Sequence, residues 1–295
     1  MKCRLCSSSS NQKIRTDKIF GAKKPCKFWE CGNCHVFYQS PHLTKEEETY
    51  FYANEFEKFM HSRGGSESGW FNLKKHKKAN TDNIHRRKEI LSKYFMRANT
   101  LLEIGCSSGF MFDTYREENI VYEGVEPSGV FSKALIENNE VIYNSLSQVP
   151  KHKMFDLILS YFVFEHIADP REFINLSLKH INKGGFFIAE VPLANDVLVN
   201  QLNNVEFEEF YWSIAHHYYY TKDSLEYLLN DMRLDFLLLP DQRYDLSNHL
   251  FWLKEGQPGG QGFFSNMIGP EVENLYKERL KMSWNCDTAF IVIKN

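Results

Sequence analysis

Two pairs of cysteines near the N-terminus have the most distinctive spacing in the chain. Cys3 and Cys6 form one C-x-x-C pair, and Cys31 and Cys34 form a second. Each pair can offer two thiolates to one tetrahedral ion, so the pattern predicts a four-cysteine Zn²⁺ site. Such a site is structural, because four thiolates leave no position open for a substrate. Cys26 is a fifth candidate ligand, and unconnected thiols or a disulfide cluster are the alternatives.

A glycine loop follows a short apolar segment at Leu101–Phe110, which reads LLEIGCSSGF. The apolar residues predict a strand that is buried on both faces. The chain then breaks at Gly105 and Gly109 and continues as a helix-like segment. This order opens a doubly wound sheet, whose ligands bind where the strand ends. Glycine lets the backbone approach a ligand that any Cβ would hold away; the alternative is that the two glycines only make the turn.

A second strand ends on an acidic residue. Val121–Ser128 reads VYEGVEPS, and Glu126 lies at the end of the predicted strand. An acid about 20 residues past the glycine loop is placed to accept hydrogen bonds from both hydroxyls of a ribose. The loop is G-x-x-x-G rather than G-x-G-x-x-G, so no cradle for a pyrophosphate is evident. The pattern therefore favours a ligand with one nucleoside and no diphosphate, and S-adenosylmethionine fits that description.

Taken with two later segments, these features resemble class I S-adenosylmethionine-dependent methyltransferases. The shared pattern is E-x-G-x-x-x-G followed by an acidic residue after the second strand. Phe155–Pro170 is similar to the fourth strand and following loop of that family, and Ile181–Pro192 to its glycine turn and fifth strand. The resemblance covers about Asn80–Asp235. It implies an α/β fold with a Rossmann-like, seven-stranded sheet, whose final strand, Asp287–Ile293, is expected at the sheet edge.

The resemblance also implies which residues hold the cofactor. Glu103 and the glycine loop would hold the methionine end, Glu126 the ribose and Asn144 the adenine edge. Ser160 and Tyr161 leave the fourth strand where the sulfonium is expected. The full set of predicted cofactor residues is Glu103, Gly105, Cys106, Gly109, Glu126, Pro127, Asn144, Ser160 and Tyr161.

A cysteine-rich N-terminus before a cofactor domain is similar to a group of bacterial methyltransferases that carry a small zinc domain. That group includes C-methyltransferases acting on nucleotide-linked deoxysugars. In those enzymes glycine follows the second cysteine pair, whereas His35 stands at that position here. The resemblance implies a structural zinc ribbon. It also implies a small acceptor, a nucleotide-linked sugar or another phosphate-bearing metabolite of surface polysaccharide or secondary metabolism.

Histidines are the candidate general bases, because imidazole titrates near neutral pH. His216 and His217 lie in Trp212–Thr221, where the zinc-containing relatives carry a Glu-His pair; the acid is missing here. His166 follows the fourth strand and either anchors its loop or faces the cofactor. His249 lies among polar and aromatic residues, which suit a sugar or phosphate pocket as well as a polar surface loop.

The segments before the glycine loop predict helices. Thr44–His61 has acidic residues near its start, as a helix N-terminus prefers, and an aromatic stripe suited to packing. The composition of Arg63–Gly69 predicts a flexible linker or a loop. Lys74–Lys78 and Arg86–Lys88 form a basic patch, interpreted as a solvated helix face or as a site for a substrate phosphate.

Three domains are expected: a zinc-binding ribbon over 1–43, a helical connector over 44–79 and a methyltransferase domain over 80–295. Substrate-side insertions are expected at about 193–220 and, near the C-terminus, 241–266. The 295 residues have a formal net charge of −3, which does not favour nucleic acid. No apolar run approaches the ~20 residues that span a membrane, and the N-terminus lacks the apolar core of a secretory signal. A cytoplasmic location with reduced cysteines is the expectation.

The expected function is S-adenosylmethionine-dependent methyl transfer to a small acceptor. One alternative is an RNA methyltransferase whose basic ribbon binds RNA. The other is a non-catalytic protein that keeps the cofactor fold as a scaffold. The sequence leaves open the acceptor, the methylated atom, the histidine that acts as base, the role of Cys26 and the oligomeric state.

Overall fold

The computed structural model describes residues 1–64, 70 and 72–295. The N-terminal part contains three strands and four helices among these residues. They are β1 (Gln12–Thr16), β2 (Lys27–Cys31), β3 (Phe37–Ser40), α1 (Lys45–Asn54), α2 (Phe56–Gly64), α3 (Leu73–Ala79) and α4 (Thr81–Phe95). The predicted linker Arg63–Gly69 lies outside the described residues from residue 65 onward, and its first two residues end α2.

Strands and helices alternate through the middle of the chain, as the strand–loop–helix pattern predicts. The elements are β4 (Thr100–Ile104), α5 (Phe112–Glu117), β5 (Val121–Val125), α6 (Gly129–Glu137), β6 (Ile142–Tyr143), β7 (Phe155–Tyr161), α7 (Pro170–Leu178) and β8 (Ile181–Pro192). Two short 3₁₀ turns, Leu146–Gln148 and Phe164–His166, flank β7.

The C-terminal part adds helices and three further strands. These are α8 (Val197–Asn200), α9 (Val205–Tyr211), β9 (Tyr218–Tyr219), α10 (Lys222–Asp231), β10 (Asp235–Asp241), α11 (Leu246–Glu255), α12 (Ser265–Ile268), α13 (Pro270–Met282) and β11 (Thr288–Lys294). Thr221 caps α10, because its side chain accepts a hydrogen bond from the Ser224 backbone N–H.

The described residues contain the predicted seven-stranded sheet, with strand order β10-β11-β8-β7-β4-β5-β6. β4 pairs in parallel with β5 and with β7, as a doubly wound fold requires. The expectation that the final strand lies at the sheet edge is wrong, since β11 lies between β10 and β8. Its uninterrupted apolar run explains the position: six of its seven residues are buried, whereas the edge strand β10 is largely half-exposed.

A second, antiparallel sheet has the order β1-β2-β3-β9. The cysteine-rich N-terminus supplies its first three strands, and the fourth is Tyr218–Tyr219 from far along the chain. One face packs an aromatic cluster in which the Phe28 ring lies 5.2 Å from those of Trp212 and Tyr219. The predicted ribbon is therefore completed by a strand that sequence periodicity did not reveal.

The chain forms two compact units. The ribbon unit comprises Met1–His42, Glu165–Ala168 and Glu190–Ile291, and the glycine-loop unit comprises Leu43–Phe164, Asp169–Ala189 and Val292–Asn295. The three consecutive domains expected from the sequence stay a prediction. In the part of the chain that the structure describes, no helix combines the length and the apolar character needed to cross a bilayer.

Candidate functional site

The glycine loop lies directly after β4, as predicted. Gly105 has a φ of +75° and Gly109 a φ of +63°, a region that side chains rarely adopt. A Cβ on Gly105 would lie 2.3 Å from Val163 Cγ2, and one on Gly109 would lie 2.7 Å from a Phe112 ring carbon. Turn conformation and packing thus require glycine at both positions, whatever the loop binds.

Glu126 follows β5 and joins the glycine loop to the start of α6. One carboxylate oxygen accepts a hydrogen bond from the Ser107 backbone N–H at 2.6 Å, and the other from the Ser128 backbone N–H at 2.8 Å. Burial raises the pKa of the Glu126 carboxyl to about 7, while these two backbone hydrogen bonds oppose the rise. A carboxylate oxygen has two lone pairs, so each retains capacity for one more donor. Two neighbouring hydroxyls, such as those of a ribose, match this capacity.

Helix α2 is tied to the same turn. The Ser128 hydroxyl donates a hydrogen bond to the buried Glu57 carboxylate at 2.8 Å. Ser128 also caps α6 by accepting from the Phe131 backbone N–H. Sequence reasoning missed Glu57, because a glutamate in the first turn of a helix is common and has no spacing that marks it as buried.

Glu103 is buried within β4 and accepts a hydrogen bond from the Tyr115 hydroxyl at 2.8 Å. Burial raises the pKa of Glu103 to about 8, opposed by the Tyr115 hydrogen bond and the positive charge of Arg87. The Arg87 guanidinium stacks over the Tyr161 ring, 3.9 Å from its centroid. Arg87 is only 2% exposed. Its interpretation as part of a solvated basic face is therefore wrong, because this side chain points inward while its neighbours on α4 remain at the surface.

His76 on α3 also reaches the glycine loop. Its Nδ1 lies 2.8 Å from the Ser108 hydroxyl, and its ring packs against Trp70, Phe110 and Phe131. Burial lowers the pKa of His76 to about 4, so the ring is neutral at pH 7. This histidine lies in a lysine-rich segment of the sequence. Because such a segment predicts an exposed helix face, the burial of His76 was not expected.

The remaining predicted cofactor residues occupy different environments. Ser160 is buried at the end of β7, where it pairs with Ile104 of β4. The hydroxyls of Ser107 and Ser160 have no hydrogen-bond partner among the described residues, so both are available to a polar ligand. Cys106 is buried, and burial raises the pKa of its thiol. Pro127 and Asn144 are exposed, and Asn144 directly follows β6.

In the ribbon unit, two predicted histidines are brought together. The His166 and His216 rings meet edge to face, with centroids 4.6 Å apart. His166 Nδ1 lies 2.8 Å from the Ala215 carbonyl oxygen. Because a carbonyl only accepts, Nδ1 donates and the lone pair of the neutral ring is on Nε2. Glu165, His166 and His216 each place a ligand atom within 4.8 Å of the others, so the group can share protons or hold a metal ion.

His217 is held by a different set of partners. Its Nδ1 lies 3.1 Å from Arg4 Nη1. Its backbone N–H donates to the Glu165 carbonyl at 2.8 Å, and its carbonyl accepts from the Gln39 N–H at 3.0 Å. A guanidinium only donates, so Nδ1 accepts and the ring hydrogen is on Nε2.

His249 belongs to another cluster. It lies on α11, is 1% exposed, and its Nδ1 is 2.6 Å from the Tyr276 hydroxyl on α13. Burial lowers the pKa of His249 to about 4. The contacts among the described residues therefore join His166, His216 and His217 through the Glu165 turn, while His249 packs with Tyr276.

The four predicted metal ligands converge. The sulfur atoms of Cys3 and Cys34 are 3.7 Å apart, those of Cys6 and Cys31 are 3.6 Å apart, and all four lie within 4.8 Å of one another. Tetrahedral zinc with bonds of about 2.3 Å places its sulfurs about 3.8 Å apart. The donor set and spacing fit Zn²⁺. Cys26 lies outside this group, with its sulfur 3.9 Å from Gln39 Nε2.

Comparison with protein families finds a match to the methyltransferase domain family over residues 73–236, more than half of the chain. The chain belongs to this family and is a class I S-adenosylmethionine-dependent methyltransferase. No curated protein sequence matches.

Solved structures with similar folds agree with this class. A methyltransferase from Archaeoglobus fulgidus is 18% identical with a TM-score of 0.52, over 82% of this chain and all of that one. The plantazolicin methyltransferase BamL is 15% identical with a TM-score of 0.53, over 84% of this chain and 94% of that one. At these identities the likeness concerns the fold.

Proposed function

We propose that this methyltransferase transfers a methyl group from S-adenosylmethionine to a small, phosphate-bearing acceptor, a nucleotide-linked sugar being the leading candidate. Glu126 would bind the ribose, the loop Gly105–Gly109 with Glu103 the methionine end, and Asn144 the adenine edge. Ser160 and Tyr161 would lie beside the reacting sulfonium. The sulfonium is itself a strong electrophile, so the protein mainly has to align the acceptor with it.

The observation that carries the proposal is the state of the Glu126 carboxylate. Both oxygens are fixed by backbone N–H groups, at 2.6 and 2.8 Å, and both retain acceptor capacity. A carboxylate that served only the turn would not need to be buried at the end of a parallel strand inside the sheet. Burial costs free energy unless the group is well partnered, which favours a ligand that completes its hydrogen bonds.

A base is needed when the acceptor atom is oxygen or carbon. We assign this role to His166, because the Nδ1–H bond to the Ala215 carbonyl places the lone pair of the neutral ring on Nε2. The contacting His216 ring would share the proton. The Arg4 contact occupies the His217 lone pair, and Tyr276 holds His249, so both are weaker candidates.

The acceptor class rests on two features. The cysteine-rich ribbon before the methyltransferase domain is similar to the sugar C-methyltransferase group, although His35 replaces its glycine. Arg243, in the C-terminal insertion, places a guanidinium against the Tyr244 ring, 4.9 Å from its centroid. A cation beside an aromatic ring suits a phosphate or nucleotide group. The four cysteines would hold a structural zinc ion, which cross-links the ribbon when bound.

Titration calorimetry of wild type and Glu126→Gln with S-adenosylmethionine tests the donor site. We expect the variant to bind about 10- to 100-fold more weakly, because two hydrogen bonds to a charged group are weakened. The matched control is Glu123→Gln on the same strand, whose carboxylate bonds the Tyr143 hydroxyl and Lys153. Unaltered affinity in Glu126→Gln would contradict the assignment.

The acceptor is tested by release of S-adenosylhomocysteine in the presence of nucleotide sugars, sugar phosphates, short peptides or total RNA. We expect turnover with a member of the first two groups. Turnover confined to RNA or peptide would replace the proposed acceptor while leaving the donor site intact.

A further inference from the structure

We propose that the N-terminal ribbon positions the catalytic histidines, with Arg4 as the positioning residue. The inference rests on the proposed function, because it concerns the segment that orients the proposed base. That segment, Ser213–Thr221, is called the histidine segment below. The whole chain of contacts lies within the ribbon unit.

The first step is the pairing of main chains. β3 of the ribbon pairs antiparallel with β9, which matches Phe37 with Tyr219 and Tyr38 with Tyr218. The pairing continues one residue further, since the Gln39 N–H donates to the His217 carbonyl at 3.0 Å. The histidine segment thus contains β9, the fourth strand of the cysteine-bearing sheet, and the register of β9 follows the ribbon.

The second step is the Arg4 side chain. Its Nη1 lies 3.3 Å from the Gln39 carbonyl oxygen and 3.1 Å from His217 Nδ1. Its guanidinium lies 5.0 Å from the centroid of the Tyr218 ring. One planar cation thus contacts the ribbon strand and two successive residues of the histidine segment. A lysine could replace one of these contacts but lacks the forked geometry for the set.

The third step connects Arg4 to the metal site. Arg4 lies between Cys3 and Cys6, in a turn closed by a hydrogen bond from the Ser7 N–H to the Cys3 carbonyl at 3.0 Å. Metal bound by the two cysteines would fix the backbone on either side of Arg4. The ion would therefore act on the histidine segment through Arg4 and through the sheet that carries β9.

The fourth step leads from His217 to the proposed base. The His217 N–H donates to the Glu165 carbonyl at 2.8 Å, and the Ala215 carbonyl accepts from His166 Nδ1 at 2.8 Å. A shift of the histidine segment would move the acceptor that sets the His166 tautomer. Arg4 would contact neither substrate nor cofactor; it would act through the orientation of the segment.

The activity test compares Arg4→Ala, Arg4→Lys and Arg15→Ala. Arg15 is the matched control, because it lies in the same ribbon but pairs with Glu208 and stacks over Trp212, outside the histidine segment. We expect Arg4→Ala to lower kcat about 10- to 100-fold, the range for a residue that orients a reacting group. KM for S-adenosylmethionine and the bound zinc should stay within about 2-fold, with partial rescue in Arg4→Lys and little loss in Arg15→Ala.

Two further readouts do not depend on turnover. Nitrogen-15 NMR of the histidine rings should show the Nε2–H tautomer for His217 in wild type and a mixture of tautomers in Arg4→Ala. Hydrogen exchange at 213–221 should rise in Arg4→Ala and after zinc chelation, but not in Arg15→Ala. Unchanged tautomer and exchange in Arg4→Ala would overturn the inference even in an active enzyme. Changed tautomer and exchange without S-adenosylmethionine binding would overturn the proposed function and leave the positioning intact.

Discussion

The proposed cofactor site and the histidine segment are built in different ways. Glu103, the glycine loop and Glu126 come from one continuous strand–loop–helix–strand stretch, and the register of parallel strands brings their ends together. The histidine segment depends instead on residues distant in sequence: Arg4 and His217 are 213 positions apart and in hydrogen-bond contact. A site made from adjacent parallel strands is encoded locally, whereas a site made by strand addition depends on long-range pairing.

The difference has a functional corollary. Every class I methyltransferase has to bind the same methyl donor. One continuous strand–loop–helix–strand stretch is therefore enough to form the donor site. Acceptors differ between enzymes, and the segments that receive them have to be adapted separately. In the proposed function the histidine segment faces the acceptor, and the ribbon sheet that contains β9 would hold this segment in place.

The largest expected effect concerns the proposed base. His166→Gln should lower kcat about 10²- to 10⁴-fold, because proton removal by a positioned histidine contributes that much to a rate. S-adenosylmethionine affinity should stay within about 3-fold, as measured by calorimetry. His249→Gln is the comparison, and its kcat should fall by less than about 10-fold. Equal decreases in kcat in the two variants would contradict the assignment of the base to the His166 cluster rather than to His249.

The next effect concerns the metal. Removing zinc with a strong chelator, or replacing Cys31 by Ser, should raise hydrogen exchange across β1, β2, β3 and β9, because a small sheet loses its cross-link. Exchange in β4 and β5 should change little. If β4 and β5 lost protection to the same extent, the metal would support the whole chain rather than the ribbon.

A smaller effect is expected from Glu103→Gln on stability without cofactor. Burial raises the pKa of Glu103 from its ordinary 4.5 to about 8, so unfolding releases a proton between these values. The free energy of unfolding of wild type should therefore fall as pH rises from 4.5 to 8. In Glu103→Gln this decrease should be smaller by roughly 2–5 kcal/mol. Chemical denaturation at pH 5 and pH 9 measures this change. Glu137→Gln, on an exposed position of α6, is the charge-matched control; it keeps Glu103 and should lose stability with rising pH as wild type does. Identical curves for Glu103→Gln and wild type would contradict the assignment.

The smallest effect is expected at the predicted adenine contact. Asn144 is exposed, and its backbone N–H donates to Gln148 Oε1 at 3.1 Å. Asn144→Ala should weaken S-adenosylmethionine binding by about 10-fold or less, equivalent to one neutral hydrogen bond. Calorimetry with S-adenosylmethionine, as for Glu126→Gln, checks this value. If Asn144→Ala lost as much S-adenosylmethionine affinity as Glu126→Gln, the adenine rather than the ribose would be the main group that the protein recognises.

The sequence was sufficient for features set by local spacing. The strand–loop–helix order around β4 and β5, the glycine turn, and the convergence of the four cysteines all follow from short motifs. These motifs work because a turn or a metal knuckle is specified by residues a few positions apart.

Contacts that depend on which side chains are buried could not be predicted from the sequence. Arg87 and His76 lie in lysine-rich segments, and only the packed structure shows that they turn toward Tyr161 and Ser108. The addition of β9 to the ribbon sheet escaped notice because a two-residue strand has no periodicity. The position of β11 beside β8 shows that a strand with an uninterrupted apolar run belongs inside a sheet rather than at its edge.

A crystal structure of this chain with S-adenosylhomocysteine tests the central claim most directly. The account predicts that the two ribose hydroxyls donate to the two carboxylate oxygens of Glu126, within about 2.5–3.0 Å, while the homocysteine end lies along Gly105–Gly109. Nucleoside density elsewhere in the chain, with the Glu126 carboxylate still bound only to Ser107 and Ser128, would contradict it.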